Sequence, residues 1–307
     1  MSNNWKKHLI LDLLIFNLSK KYNIYDSIKL KKYIFFKKTR YISNFNPIII
    51  GGCPRSGTTL ARALISVHPE IVGPEKEYNL LMWIKKESIL QNVFNFSKEE
   101  IYDLKERYKD HVLFAEQVLK KYLNKQKKEN VCIKHPYHIM IIDELFNFFP
   151  ELRFIHIIRD GRDVTCSLRT HPKRKIVNDK IIPLNTNNPF DWCVRKWVSS
   201  INKGKNHRKN KRYIEIRYED LVNEPEKTTE RVFSFLGLKN ISREKLLEFY
   251  KNQDTKKHIQ NIEVNQPIYK KTIGRWKKDM SREEQKIFKK ITGDLLIELG
   301  YEKNKNW

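Results

Sequence analysis

One run of residues has the types and spacing for anion chemistry: Gly51-Gly52-Cys53-Pro54-Arg55-Ser56-Gly57-Thr58-Thr59. It follows the apolar Ile48-Ile49-Ile50 and opens a segment, Thr58 to Val67, with helical spacing of apolar residues. A strand that passes through a glycine-containing loop into a helix aims several backbone N–H groups at one point. The positive end of the helix dipole adds to them. Gly52 and Gly57 have Walker A spacing, but Thr58 stands where an ATP-hydrolysing loop carries its lysine. Arg55 is the cation that the loop supplies itself. The combination suits a phosphate-like group without the usual equipment for hydrolysing a nucleoside triphosphate. A bare glycine turn between strand and helix is the competing reading, and so rich a pattern disfavours it.

A second cluster lies downstream in Ile157-Ile158-Arg159-Asp160-Gly161-Arg162-Asp163, which runs from a predicted strand into a predicted helix. Ser167 follows Arg159 by eight residues, so it lies about two helical turns in and can face the same phosphate as the arginine. Mutual neutralisation of Arg159, Asp160, Arg162 and Asp163 in a surface turn is the alternative. Three further segments hold polar groups at element ends. They are Glu75 and Glu77 in the stretch after His68-Pro69, Lys134-His135-Pro136, and Tyr218-Glu219-Asp220-Leu221. Near the chain's other end, Lys271 precedes Ile273-Gly274-Arg275-Trp276-Lys277.

Pro54-Arg55-Ser56-Gly57-Thr58-Thr59 resembles the 5′-phosphosulfate loop of sulfotransferases that use 3′-phosphoadenosine 5′-phosphosulfate (PAPS), in the branch of tyrosylprotein and many bacterial sulfotransferases. The resemblance runs over roughly residues 47–300. It implies that Arg55, Ser56, Gly57, Thr58 and Thr59 hold the bridging phosphate and sulfuryl oxygens, and that Arg159 and Ser167 bind the 3′-phosphate. Tyr218 would contact the nucleotide. Lys271, Arg275 and Lys277 would belong to a basic loop closing over it. Lys134 resembles the family's Lys-x-Pro lysine, which supports the leaving group.

The family's base is usually a glutamate past a His-Pro. Counted from His68, Glu77 falls at the interval of heparan-type enzymes; the tyrosylprotein interval would give Lys76, and Glu75 needs a shift of one residue. Glu77 is favoured narrowly over Glu75, and His135 is a third candidate, one residue out of register with the cytosolic enzymes. A proton acceptor, cations at the departing phosphate and in-line attack suffice for sulfuryl transfer, so no metal is expected. The reaction implied moves a sulfuryl group to a hydroxyl or amine of a glycan, a protein tyrosine or a small molecule. The alternatives are a P-loop-like small-molecule kinase, disfavoured by Thr58 and by the lack of an evident Mg²⁺ carboxylate, and a non-enzymatic polyanion binder motivated by charge alone.

The elements that must position these residues follow from the rest of the chain. Its 307 residues suffice to bury roughly 75% of the unfolded surface, and 40% hydrophobic residues is a globular value. The 61 Lys and Arg against 36 Asp and Glu leave +25, which suits an anionic cofactor and an anionic glycan acceptor; it is also what a lysine-rich solvated surface would give. No nucleic-acid-binding signature accompanies the charge. Four scattered cysteines make neither a zinc pattern nor a disulfide framework. No apolar run approaches the length of a membrane span and no signal peptide is evident, so a soluble, cytoplasmic enzyme of bacterial type is expected.

Residues 1–45 read as a basic helical extension and 46–307 as a single domain. Short apolar strands at 48–50, 131–133, 153–158 and 213–217 alternate with helical segments, and 171–190 reads as a long polar loop. The fold class expected is α/β: a P-loop-like three-layer fold with a central, mostly parallel sheet flanked by helices.

Overall fold

Ile48, Ile49 and Ile50 are almost wholly buried, as a strand covered on both faces requires. The computed structural model describes residues 39–82, 84–170, 187–248, 268 and 271–307, and for residues 173–177 and 180–184 the backbone. Of the expected N-terminal helical extension, residues 1–38 lie outside the described residues. Residues 39–45 run without helix and belong, from Arg40, to the unit that continues to Trp307. Tyr41 and Ser43 fasten this stretch by donating to the buried Glu116 carboxylate at 2.9 and 2.6 Å.

Strands β1 (Ile48–Gly52), β2 (Ile71–Val72), β3 (Asn130–Lys134), β4 (Arg153–Ile158) and β7 (Tyr213–Arg217) form one sheet in the order β2-β3-β1-β4-β7. Every pairing in it is parallel. The sequence strands of the central sheet are therefore where the apolar runs place them, with the two-residue β2 as an addition. After β1 the chain pairs on one side through β3, then crosses to the other side for β4. That reversal leaves a crevice beyond the carboxyl ends of β1, β3 and β4, where open α/β sheets take their ligands.

Helices cover the sheet. Helix α1 (Thr58–Ile65) leaves β1 through the glycine-containing loop and packs Ala61, Leu64 and Ile65 with Ile48, Ile50, Ile155 and Phe233. Helices α2 (Glu87–Phe94), α3 (Lys98–Arg107) and α4 (His111–Gln126) lead to β3. A 3₁₀ turn, Pro136–Ile141, precedes α5 (Ile142–Phe148), so the helix expected over 139–148 begins as a tighter coil around Pro136. Helices α6 (Gly161–Thr170) and α7 (Phe190–Lys205) build a second apolar cluster around Val164, Trp197 and Phe288. The helix predicted to start at Pro225 is α8 (Pro225–Leu236), and Gly237 ends it in the left-handed region at φ 75°.

The stretch read as a loop over 171–190 is different. Lys173–Val177 (β5) and Lys180–Leu184 (β6) form an antiparallel pair. Pro183 argued against a strand, but each member of a two-stranded ladder is an edge strand, where proline is tolerated.

Gly161 allows α6 to approach α7. A Cβ at this position would lie 2.5 Å from the Trp197 ring. The Gly161→Ala variant should therefore lose stability by about 1–3 kcal/mol, the usual cost of overpacking a core. A denaturant midpoint unchanged from wild type would refute that packing.

Candidate active site

The loop between β1 and α1 turns sharply. The Ser56 N–H donates to Cys53 O at 3.1 Å, Arg55 takes φ 74° and Gly57 takes φ 91° as the residue before the helix. Gly57 is required twice over: by its positive φ, and because a Cβ there would lie 2.3 Å from the Tyr218 ring. No side chain caps α1, so its first N–H groups face the crevice without a side-chain acceptor. The Ser56 hydroxyl is buried beside them and has no partner among the described residues. An orphaned hydroxyl at an uncapped helix start is what an anion-binding loop holds ready.

Arg159 stands at the end of β4, which pairs with β1 so that Gly52 faces Ile157. Its guanidinium donates to Arg55 O at 3.1 Å and to Thr272 O at 2.5 Å, and lies 4.3 Å from the Tyr218 ring centre. Trp197 fixes the turn from outside by donating its indole N–H to Arg159 O at 3.0 Å. The Arg55 guanidinium bonds Ser167 Oγ at 3.2 Å, so Arg55, Arg159 and Ser167 meet. The Tyr218 hydroxyl pairs with Thr272 Oγ1 at 3.0 Å.

Lys134 ends β3, the neighbour of β1 on the other side. Only 1% of it is exposed, and its ammonium donates to Thr59 Oγ1 at 3.1 Å and Glu77 Oε1 at 2.7 Å. The Glu77 segment is tied to the same strand end: Tyr78 N–H bonds Lys134 O at 3.3 Å, and Leu80 N–H bonds His138 Nε2 at 3.1 Å. Partial desolvation at the crevice pulls the Glu77 carboxyl up, although 43% of its side chain is exposed. The nearby Lys134 charge and hydrogen bond, with Arg55, outweigh it and hold the group below its ordinary value. Burial likewise depresses Lys134, against the pull of Glu77. For His135, burial dominates and pushes the imidazole down to about 4, so it is neutral at neutral pH. Its Nδ1 accepts the Tyr137 N–H at 3.3 Å, which leaves the proton on Nε2, 3.9 Å from Glu77 Oε2.

The other glutamate faces elsewhere. Glu75 lies by the buried Arg62 and by Tyr122, where its charge opposes the effect of burial on the arginine. The structure thus brings Arg55, Ser56, Gly57, Thr58, Thr59, Glu77, Lys134, Arg159, Ser167 and Tyr218 to one rim, with Glu75 on a different set of partners. Of the basic loop, Thr272 to Trp276 reaches that rim through its backbone. The Arg275 side chain instead pairs with Asp279 at 2.5 Å, and Lys271 and Lys277 are exposed.

Two residues in contact with this rim escaped sequence reasoning. Thr272 serves Arg159 and Tyr218 from more than fifty residues away, which no local pattern shows. Asp163 accepts the Gly274 and Trp276 N–H groups at 2.8 and 3.0 Å and so anchors that loop. Its place beside Arg162 in the sequence was the available signal. Among the described residues no group of three or more His, Cys, Asp or Glu side chains could hold a metal ion.

A family model described as the sulfotransferase family matches residues 47–242. The chain belongs to the sulfotransferase family. Protein-tyrosine sulfotransferase 2 of Gallus gallus is 30% identical over 215 residues, 65% of this sulfotransferase and 53% of the relative. Nodulation protein NoeE of Sinorhizobium fredii is 23% identical over 286 residues, 82% of this chain and 65% of its own length. The sulfotransferase thus spans roughly half to two thirds of the curated relatives it matches. In fold it is similar to mouse sulfotransferase SULT7A1, solved complexed with PAP: TM-score 0.52, 14% identity, 85% of this chain and 89% of that one. The mostly parallel sheet flanked by helices is the P-loop-like fold of these enzymes.

The Lys134–Glu77 pair has a measurable sign. Removing the ammonium leaves burial as the main influence on the carboxyl, so in Lys134→Gln the Glu77 pKa should rise. Titration of the labelled Glu77 carboxyl by NMR checks this, and an unmoved or lower value would contradict the pairing.

Proposed function

We propose that this sulfotransferase moves a sulfuryl group from PAPS to a hydroxyl or amine of an acceptor, on a glycan, a protein tyrosine or a small molecule. The observation that carries the reading is the buried Lys134 ammonium, held between Thr59 at the start of α1 and Glu77 at the crevice. It sets a cation and a base within one hydrogen-bonded unit beside an uncapped anion loop. The relatives' names and the PAP in the mouse enzyme support the same donor chemistry.

The residues present fit the donor, because the orphaned Ser56 hydroxyl and the free N–H groups of α1 suit phosphosulfate oxygens. When bound, PAPS supplies a sulfuryl group on a phosphate that can depart. Arg55 to Thr59 would hold the phosphosulfate, Arg159 with Ser167 the 3′-phosphate, and Tyr218 the nucleotide. The backbone of 272–276 closes from the side, with Lys271, Arg275 and Lys277 as flanking charge.

Glu77 would take the acceptor's proton, as the carboxylate that stands at the crevice beside Lys134. Lys134, bonded to Thr59 at the start of α1, would supply positive charge for the negative charge that develops on the leaving oxygen. His135 carries its proton on Nε2, the nitrogen nearer Glu77, so it has no lone pair on that side to act as base. Glu75 acts electrostatically on Arg62 and Tyr122 instead, which favours Glu77 over it as the base.

Titration calorimetry with 3′-phosphoadenosine 5′-phosphate (PAP), the desulfated product, should give binding to wild type that is lost or greatly weakened in Arg159→Ala and Ser56→Ala. A preference for ATP with Mg²⁺ would overturn the reading in favour of a kinase. With donor and acceptor in hand, Glu77→Gln should keep PAP affinity and lose about 10²- to 10⁴-fold in kcat, the range for a general base. Full activity in Glu77→Gln, with loss in Glu75→Gln, would reverse the assignment.

A further inference from the structure

Arg162 lies three residues past Arg159, yet its environment has little to do with phosphate. Its guanidinium is bidentate to Asp160, with Nε to Oδ1 at 3.0 Å and Nη2 to Oδ2 at 2.7 Å, and also bonds Glu302. Two indoles pack against the guanidinium. The Trp276 ring centre is 3.9 Å from the guanidinium carbon and that of Trp307 is 4.6 Å away. The two indoles meet edge to face at 5.9 Å. Trp307 also packs edge-on against the buried Phe288 at 6.0 Å and carries Lys289 Nζ 4.7 Å from its ring centre. This assembly sits directly behind the 272–276 loop. Trp276 belongs to it, and the Trp276 and Gly274 amides are held by Asp163, one residue from Arg162.

We propose that Trp307, acting through Arg162 and Trp276, is a positioning residue that locks the 272–276 loop against Arg159 and Tyr218. The path is continuous. Trp307 clamps Arg162 and Trp276, Trp276 and Gly274 hang on Asp163, and Thr272 bonds both Arg159 and Tyr218. No described contact joins Trp307 directly to Arg159 or to the β1–α1 loop; besides the 272–276 loop, it reaches the Arg159 turn by way of Phe288 and Trp197 among the described contacts. A cation paired with two carboxylates and packed against two aromatic rings resists rotation, which suits it to hold a loop in one place. The consequence for donor binding rests on the PAPS reading; the consequence for the loop does not.

Hydrogen exchange in the chain without ligand tests the lock first. In Trp307→Ala and in Trp307→Leu, which keeps apolar bulk without an aromatic face, the Gly274 and Trp276 amides should exchange faster, by roughly three- to thirtyfold, the scale of one partly desolvated cation–π contact. Amides of β1 and β4 should keep wild-type rates. The KM for PAPS should rise by a similar factor with kcat retained, and Trp307→Phe should restore both readouts. Unchanged exchange at Gly274 and Trp276 in the folded variants overturns the lock. So does a fall in kcat at unchanged KM, or a general loss of protection across the sheet. If wild type fails to bind PAP, the donor assignment fails while the exchange result still decides the lock.

Discussion

The parallel pairing of β1 with β3 on one side and β4 on the other determines where every charged group of the site can stand. In a parallel sheet all strands end on the same edge, so Gly52, Lys134 and Ile158 with its successor Arg159 are brought to one rim by backbone hydrogen bonds alone. The approach is tightest at Gly52, where a Cβ would lie 2.4 Å from Ile157 O at a φ of 156°. Any side chain there would push the anion loop away from Arg159. The glycine is thus the condition for the β1–α1 loop and Arg159, which come from different strands, to stand at one place on the rim, and the rest of the site is arranged around it.

The opposite flank is built by the same logic with different materials. Lys134 is nearly inaccessible at its strand end, and a buried ammonium is tolerated only with its hydrogen bonds met. Thr59 meets one and Glu77 another. Glu77 in turn belongs to a segment without helix or strand, which is held by Lys134 O and by His138. His138 takes a definite tautomer: Nε2 accepts from Leu80, so Nδ1–H faces Ile50 O at 3.3 Å. A buried neutral imidazole therefore spans β1 and the Glu77 segment, and the irregular loop inherits the order of the sheet.

These relations explain what could be read without coordinates. The strands and the anion loop were legible because burial on both faces demands apolar runs and a sharp strand-to-helix turn demands glycine. Arg159 and Ser167 stood out through the resemblance, with an interval of eight that helical pitch allows, and in the structure both contact Arg55. The choice between Glu75 and Glu77 was not, since both lie in one irregular segment and only the positions of Arg62 and Lys134 separate them. The β5–β6 ladder was hidden by Pro183 and by a lysine-rich composition. Thr272 acts through a carbonyl and a hydroxyl toward partners distant in sequence, and a carbonyl contact leaves no mark on residue type.

The two arginines of the Arg159–Asp163 segment show how one short sequence divides its charge. Arg162 is paired with Asp160 and Glu302 and packed against two aromatic rings, so it has little field to offer a ligand. Arg159 is treated differently. Its hydrogen bonds go to two carbonyls, which satisfy donors without cancelling charge, and its Nε has no partner among the described residues. The nearby carboxylate of Asp163 is 3.9 Å away with both oxygens already accepting backbone N–H groups. The tight neutralising pairs that a surface turn would form are present and go to Arg162, while Arg159 has only the longer approach to Asp163 and keeps its guanidinium on two carbonyls at the rim. It is this partition of one short charged segment, more than the net charge of +25, that decides which cation faces the crevice.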